Sequence, residues 1–341
     1  MQMKIKYFKI RKAVAILFAI AIAVCCAHHG SFQSVAATAM KNTAVQKTAQ
    51  MPQVYPCGFP VGIYMETEGV MVVTTAQIPT NLETLSSPCE GSLQQGDYIT
   101  SINGNPVNSK EELVSSVEAC AGQPLTLHIV REQESFDISV LPIQDTSGTY
   151  RLGVWVKDDV QGIGTLTFVD EKGNFGALGH GISDVDTGEL LHINEGALYQ
   201  AKIIGIQKGS SGSPGELSGM IHYDAQQVIG SIDKNCDQGI FGTLNILPKP
   251  LSLKKMEVAY KQELETGPAT VLCCIDGEVK EFDAEITRID MNHEDSNKSF
   301  VIQVTDQGLL DMTGGIVQGM SGSPVTVSYT HLRAHETLSD L

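Results

Sequence analysis

The sequence predicts a mainly β protein in which a small α+β module precedes a larger, turn-rich barrel or sandwich. Three observations carry that prediction. Glycine is frequent (33 of 341 residues) and aromatic residues are only 6%, a composition that favours short strands and tight turns over helical bundles. One stretch, 108–120, combines a helix start signal with a one-sided apolar face. From about residue 150 onward, short apolar runs recur between glycine-bearing turns, with no helical segments between them to build a parallel α/β sheet.

Composition bounds the rest. With 42% hydrophobic and 18% charged residues, a chain of 341 has material for about two domains. A net charge of −16, with no basic run after the N-terminus, excludes a nucleic-acid partner, which needs clustered Lys and Arg. The N-terminus is a targeting element: basic "MQMKIKYFKIRK" precedes 15 apolar residues, "AVAILFAIAIAVCCA" (13–27). That order signals export, and the run is short of the roughly 20 residues that span a bilayer. A cleaved signal and a short membrane anchor both fit. Residues 1–27 are thus expected to be a signal or anchor segment and 28–55, small and polar, a linker. Eight cysteines include no C-x-x-C pair, and no His/Cys/carboxylate cluster has ligand spacing, so neither metal nor cofactor is expected.

Residues 56–145 read as the α+β module. "GVMVVTTA" (69–76) is a strand, and "GDYITSINGNPV" (96–107) is strand, Asn-Gly turn, strand. In "NSKEELVSSVEAC" (108–120), Ser109 and Glu112 stand at capping-box spacing, and Leu113, Val117 and Cys120 share one helix face. "PLTLHIVRE" and "SFDISVLPI" alternate as a closing hairpin. "LQQGDYITSINGNPV", followed by a helix and two strands, resembles the signature of PDZ domains. The resemblance implies a module that adds an extended peptide to a sheet edge. It makes "CGFPVGIYM" (57–65) the receiving loop and strand, with Gly58, Phe59, Val61, Gly62 and Ile63 facing the peptide.

Residues 150–325 hold the chemistry. Two near-copies of one serine turn occur there, "KGSSGSPGE" (208–216) with Ser211 and "VQGMSGSP" (317–324) with Ser321. A serine nucleophile needs a base, a group that orients the base, and backbone N–H groups for the oxyanion. Gly319 and Gly322 flank Ser321 so that the N–H groups of Gly319 and Ser321 can form that oxyanion hole. Of nine histidines, His180 in "GALGHGISDVDTG" stands apart, held in a glycine-flanked turn at the end of an apolar strand. For the orienting acid, Asp306 ends a strand 15 residues before Ser321. Asp184, Asp186 and Asp311 are the other candidates.

"FGALGHGISDVDTG", "GGIVQGMSGSP", "GIGTLTFVD", "GIFGTL" and "GPATVL", behind an export segment and a PDZ-like module, resemble the SpoIVB peptidase family of spore-forming bacteria. The resemblance covers residues 57–324. It implies a chymotrypsin-like double β-barrel with His180, Asp306 and Ser321 as the catalytic group, and it makes "GSSGSPGE" a glycine-rich loop in which serine is not required. It further implies a serine endopeptidase of sporulation signalling, acting between the forespore and mother-cell membranes. Such an enzyme cleaves its own N-terminal segment, within about 30–56. It also cuts the extracytoplasmic part of a membrane protein that restrains an intramembrane protease, which then activates a late sigma factor. The rival reading is a non-catalytic exported PDZ scaffold that binds a membrane partner. After "SGSPV" the sequence departs from the family. Residues 326–341 are polar and are expected to be a non-native tail with no strand pairing to offer, so that the second barrel lacks its last strands.

Overall fold

Apolar runs broken by glycine make long, bent strands in this chain. The coordinates are a computed structural model that describes residues 52–82, 84–246, 254–290, 300–327 and 331–334. The expected export segment and nearly all of the linker lie outside the described residues. Among those described, no helix is long and apolar enough to cross a membrane.

Two strands organise everything else. β1 (Gln53–Thr75) and β6 (Val154–Val169) pair antiparallel along most of their lengths, with register shifts that bend them. The bend lies at Thr67–Gly69. The Thr67 hydroxyl donates to Gly69 O (2.6 Å) and is 3.1 Å from Asp158 O. Gly69 has φ +85°, and a Cβ there would lie 2.6 Å from Ile99 O, so only glycine fits without displacement.

On one side of the bend is the helix-bearing module. Its strands are the second half of β1, β2 (Tyr98–Ile102), β3 (Asn105–Pro106), β4 (Leu125–Arg131) and β5 (Glu134–Val140), together with the start of β6. Asn103 and Gly104, both at positive φ, turn β2 into β3, as a two-residue hairpin requires. Helix α1 (Lys110–Ala119) begins as expected. Ser109 accepts from Glu112 N at 3.2 Å, and the Glu112 carboxylate reaches back to Asn108 N at 2.8 Å. Leu113 and Val117 are buried with Ile99, Leu127 and Leu152 in one core.

On the other side the strands close on themselves. β1 pairs with β6, β6 with β7 (Asn174–Ala177), and β7 with β11 (Gly239–Leu244). β11 then pairs with β10 (Val228–Cys236), β10 with β8 (Ile193–Gln207), and β8 returns to β1. This six-stranded antiparallel ring has its own core of Val61, Ile63, Leu166, Phe175, Leu198 and Ile240. A second sheet follows in the order β15 (Phe300–Val304), β14 (Val279–Ile289), β13 (Gly267–Cys274), β17 (Pro324–Val327), β18 (His331–Ala334) and β12 (Met256–Val258). β9 (Gly215–Ile221) extends β8 and pairs parallel with β16 (Val317–Gln318). Helix α2 (Gln307–Thr313) lies between β15 and β16.

Two expectations change here. The module does not begin at residue 56: residues 55–66 belong to the ring, and Leu152 and Val154–Lys157 complete the module instead. The stretch after Val325 was expected to offer no pairing, yet the backbone of 331–334 pairs with β17 and with β12.

Candidate active site

His180 enters the site through a strained turn. β7 ends at Ala177, and the next two residues, Leu178 (φ +72°) and Gly179 (φ +79°), are both left-handed. For a leucine this conformation costs on the order of 1–2 kcal/mol, and such strain persists only where surrounding packing enforces it. Here it does: Leu178 is buried in the ring core, and its N–H donates to Thr165 O at 3.2 Å. The turn therefore presents His180 at the surface. Its Nδ1 lies 2.8 Å from Gly181 O. A carbonyl oxygen can only accept, so Nδ1 carries the proton and Nε2 keeps the lone pair that a general base uses.

Ser321 lies in the turn between β16 and β17. Gly319 (φ +96°) and Gly322 (φ +89°) bend the chain on either side of it. Met320 is buried beside Cys273 and Leu309 and anchors the turn from below. Thr165 anchors it from the ring: its N–H donates to Ser321 O at 3.1 Å, and its hydroxyl to Gly319 O at 2.8 Å. A Cβ at Gly322 would lie 2.4 Å from Leu178 N and 2.5 Å from Thr165 O. The serine turn is thus pressed directly onto the elbow that presents His180, through one shared residue, Thr165. A further hydrogen bond, Ser323 N to Met320 O at 2.9 Å, turns the 320–321 carbonyl toward Ser323 and so directs the Ser321 N–H the opposite way.

Asp306 holds another position. It is the N-cap of helix α2, with Oδ1 accepting from Leu309 N at 2.8 Å, and its own N–H donates to Asp283 O at 3.0 Å. Among the described residues, no hydrogen bond joins it to His180; the group that meets His180 Nδ1 is the Gly181 carbonyl. The other carboxylates are also committed elsewhere. Asp184 is buried on Lys157, and Asp311 accepts from Gln307 Nε2 at 2.7 Å. Asp186 lies 4.0 Å from Lys157. Burial pushes the thiols of Cys57, Cys89 and Cys273 up to about 12, which leaves them protonated and unfit as nucleophiles. Among the described residues no group of His, Cys, Asp and Glu could hold a metal.

The strand expected to receive a peptide is enclosed instead. Val61 pairs with Gly164 on one side and Gln200 on the other, and Ile63 with Gly162 and Leu198. Val61 and Ile63 are buried in the ring core, with Phe59 packed against it. A Cβ on Gly62 would lie 2.5 Å from Ile221 Cγ2, and Gly58 (φ +75°) sits against Leu272 O. Residues 61–63 are paired on both edges, while Phe59 and Pro60 pair with β6 on one side, so the paired segment 61–63 leaves no edge for another strand. The open edge lies elsewhere: Val154–Lys157 pair with residues 71–75 on one side only, among the described residues. The same segment ends beside α1, where Asp158 accepts from Lys110 N at 2.8 Å. Leu152 roots the segment in the module core, and Gly153 (φ +71°) approaches Ala76 O. The sequence signal for this edge was Leu-Gly-Val at 152–154, a glycine between apolar residues at a strand start.

Residues 148–330 match the family model described as SpoIVB peptidase S55. No curated protein matches the chain. Among solved structures, the chain is similar to the PDZ domain of the SdrC-like protein from Listeria monocytogenes. The identity is 21%, over 26% of this chain and 87% of that one, with a TM-score of 0.22. The family match spans more than half of the 341 residues, 183 counted from 148 to 330, and takes in both the His180 elbow and the Ser321 turn: the chain belongs to the SpoIVB peptidase family.

Proposed function

We propose that this peptidase is a serine endopeptidase in which Ser321 attacks and His180 moves the proton. The observation that carries the reading is the seating of the Ser321 turn on the Thr165–Leu178 elbow. His180 Nε2 takes the proton from Ser321 Oγ as the oxygen bonds to the scissile carbonyl carbon. The resulting oxyanion lies against the N–H groups of Gly319 and Ser321. His180 then gives its proton to the leaving amine, and water repeats the cycle to free the acyl group. Gly181 O holds the tautomer at Nδ1, the place expected for an acid. Asp306 serves the site by capping α2, whose C-terminal end leads into the 314–321 turn.

By the family's character, the enzyme acts outside the cytoplasm in sporulation signalling. Its substrates are its own N-terminal segment, within about 30–56, and the extracytoplasmic part of a membrane regulator of an intramembrane protease. The PDZ-like module takes an extended peptide at Val154–Lys157 beside α1, by adding a strand. The test is labelling of the full chain with a fluorophosphonate, followed by peptide mapping and N-terminal sequencing. The label is expected on Ser321 and lost in Ser321→Ala and His180→Ala, with a new N-terminus inside 30–56. Label that survives Ser321→Ala but not Ser211→Ala would overturn the assignment. No label on any serine would favour the binding scaffold.

A further inference from the structure

The segment after His180 is tied down at one point by a buried charge. Asp184 has a fully buried side chain. Its Oδ1 accepts from Asp186 N (3.0 Å) and Thr187 N (2.8 Å), which closes the local turn. Its other oxygen is ion-paired with Lys157, whose side chain is mostly buried. Lys157 is the end of the open edge Val154–Lys157, on the far side of the bend from the ring. The remaining contacts of 182–192 point the same way. Leu191 packs with Met71 and Tyr98, the His192 ring lies 5.4 Å from that of Tyr98, and Glu68 N donates to His192 O at 3.0 Å. At the loop's base, Asn235 bonds both Ile182 N and Ile182 O at 2.8 Å, and Leu191 O at 3.0 Å. The residues that follow the base are therefore clamped at the root by the ring and held at the tip by the helix-bearing module.

We propose that Asp184 and Lys157 are positioning residues for His180: their ion pair pins the 182–192 loop to the strand that carries the open edge, and so sets where the imidazole stands relative to Ser321. A lone carboxylate buried in a loop is costly unless paired. Without Lys157, Asp184 must leave its site and carry the loop with it. Catalytic geometry tolerates little such movement, since displacements of about 1 Å cost up to about 100-fold. The inference rests on the serine-peptidase reading for its effect on rate, and on the structure alone for the pin.

The test uses two single variants of the full chain and their double. Asp184→Asn keeps the acceptor for the Asp186 and Thr187 amides but loses the charge. Lys157→Met removes the cation. Hydrogen exchange of 178–192 is measured alongside fluorophosphonate labelling of Ser321 over a range of probe concentrations. Expected are at least tenfold faster exchange in 178–192 and at least tenfold lower maximal labelling rate in Asp184→Asn and Lys157→Met. The half-saturating probe concentration should hold, and the double variant should be no worse than the worse single. Unchanged exchange in 178–192 would overturn the proposal. So would faster exchange with labelling at the parent rate, or single-variant losses that multiply in the double. If the parent itself does not label, the serine-peptidase reading falls, and the exchange data alone decide whether the pin exists.

Discussion

Residues 208–216 and 317–324 share the string Ser-Gly-Ser-Pro, and the fold treats them oppositely. In the first, Ser210 and Ser213 exchange backbone hydrogen bonds of 2.8 and 2.9 Å and make a hairpin tip in solvent. Ser211 is exposed, and a Cβ added to Gly212 (φ +75°) would meet nothing within 4 Å. In the second, Met320 is in a core, Gly322 is pressed onto Leu178, and Thr165 binds two carbonyls. The turns even lie side by side, with Gly215 paired to Val317. A small-residue serine turn is thus only a shape. What sets the second apart is the strained elbow it rests on.

Alanine at each serine breaks or sharpens this contrast most strongly. Ser321→Ala should lower kcat/KM on a cleaved peptide by about 10⁴-fold or more, and Ser211→Ala should leave it within about twofold. Equal losses would end the distinction. The glycines come next. Gly322→Ala sets a methyl 2.4 Å from Leu178 N at φ +89° and should cost about 3 kcal/mol or more by urea unfolding. Gly212→Ala meets only the backbone penalty, about 1 kcal/mol. Loss of the shared anchor is milder: Thr165→Val removes the bond to Gly319 O and should cost about 1 kcal/mol, with labelling of Ser321 slowed about tenfold and the 208–216 turn unaffected by hydrogen exchange.

Asp306 separates support from chemistry. Asp306→Ala should lose about 1 kcal/mol of helix capping, and Asp306→Asn, which still caps, should recover most of it together with activity. If Asp306→Asn is as inactive as His180→Ala, the carboxylate itself acts on the histidine. The smallest effect is a control remote from both turns. The Ser147 hydroxyl, the Thr149 amide and Arg151 hold the Asp145 carboxyl well below the usual carboxylate range, against the opposing pull of burial. A depressed carboxyl contributes stability above its unfolded pKa of about 4 and loses it as pH falls below that. Asp145→Ala should therefore lower the melting temperature slightly at pH 7 and progressively less below pH about 4, with the two serine turns responding alike.

The α1 boundaries, the Asn-Gly hairpin and the β4–β5 pair were legible because each depends on neighbours in sequence: a cap, a turn dipeptide, an alternation. The turns that carry His180 and Ser321 were legible for the same reason, since glycines mark them. The enclosure of 61–63 was not legible because 57–65 and 152–158 are equally apolar and glycine-bearing. Which one keeps a free edge depends on how many partners each strand finds, and partners lie far away in sequence. The role of Asp306 was open for a similar cause, because a strand-end aspartate looks the same whether it caps a helix or faces a histidine.

By itself, then, the sequence determined a β-rich peptidase with one serine turn and one histidine turn worth watching, since local spacing encodes turns and caps. Only the tertiary structure decided that the histidine turn is strained at Leu178, that Thr165 couples it to Ser321, and that Lys157 and Asp184 bind the loop behind it to the module. These are contacts between strands that the ring closure brings together, and no window along the chain contains both partners.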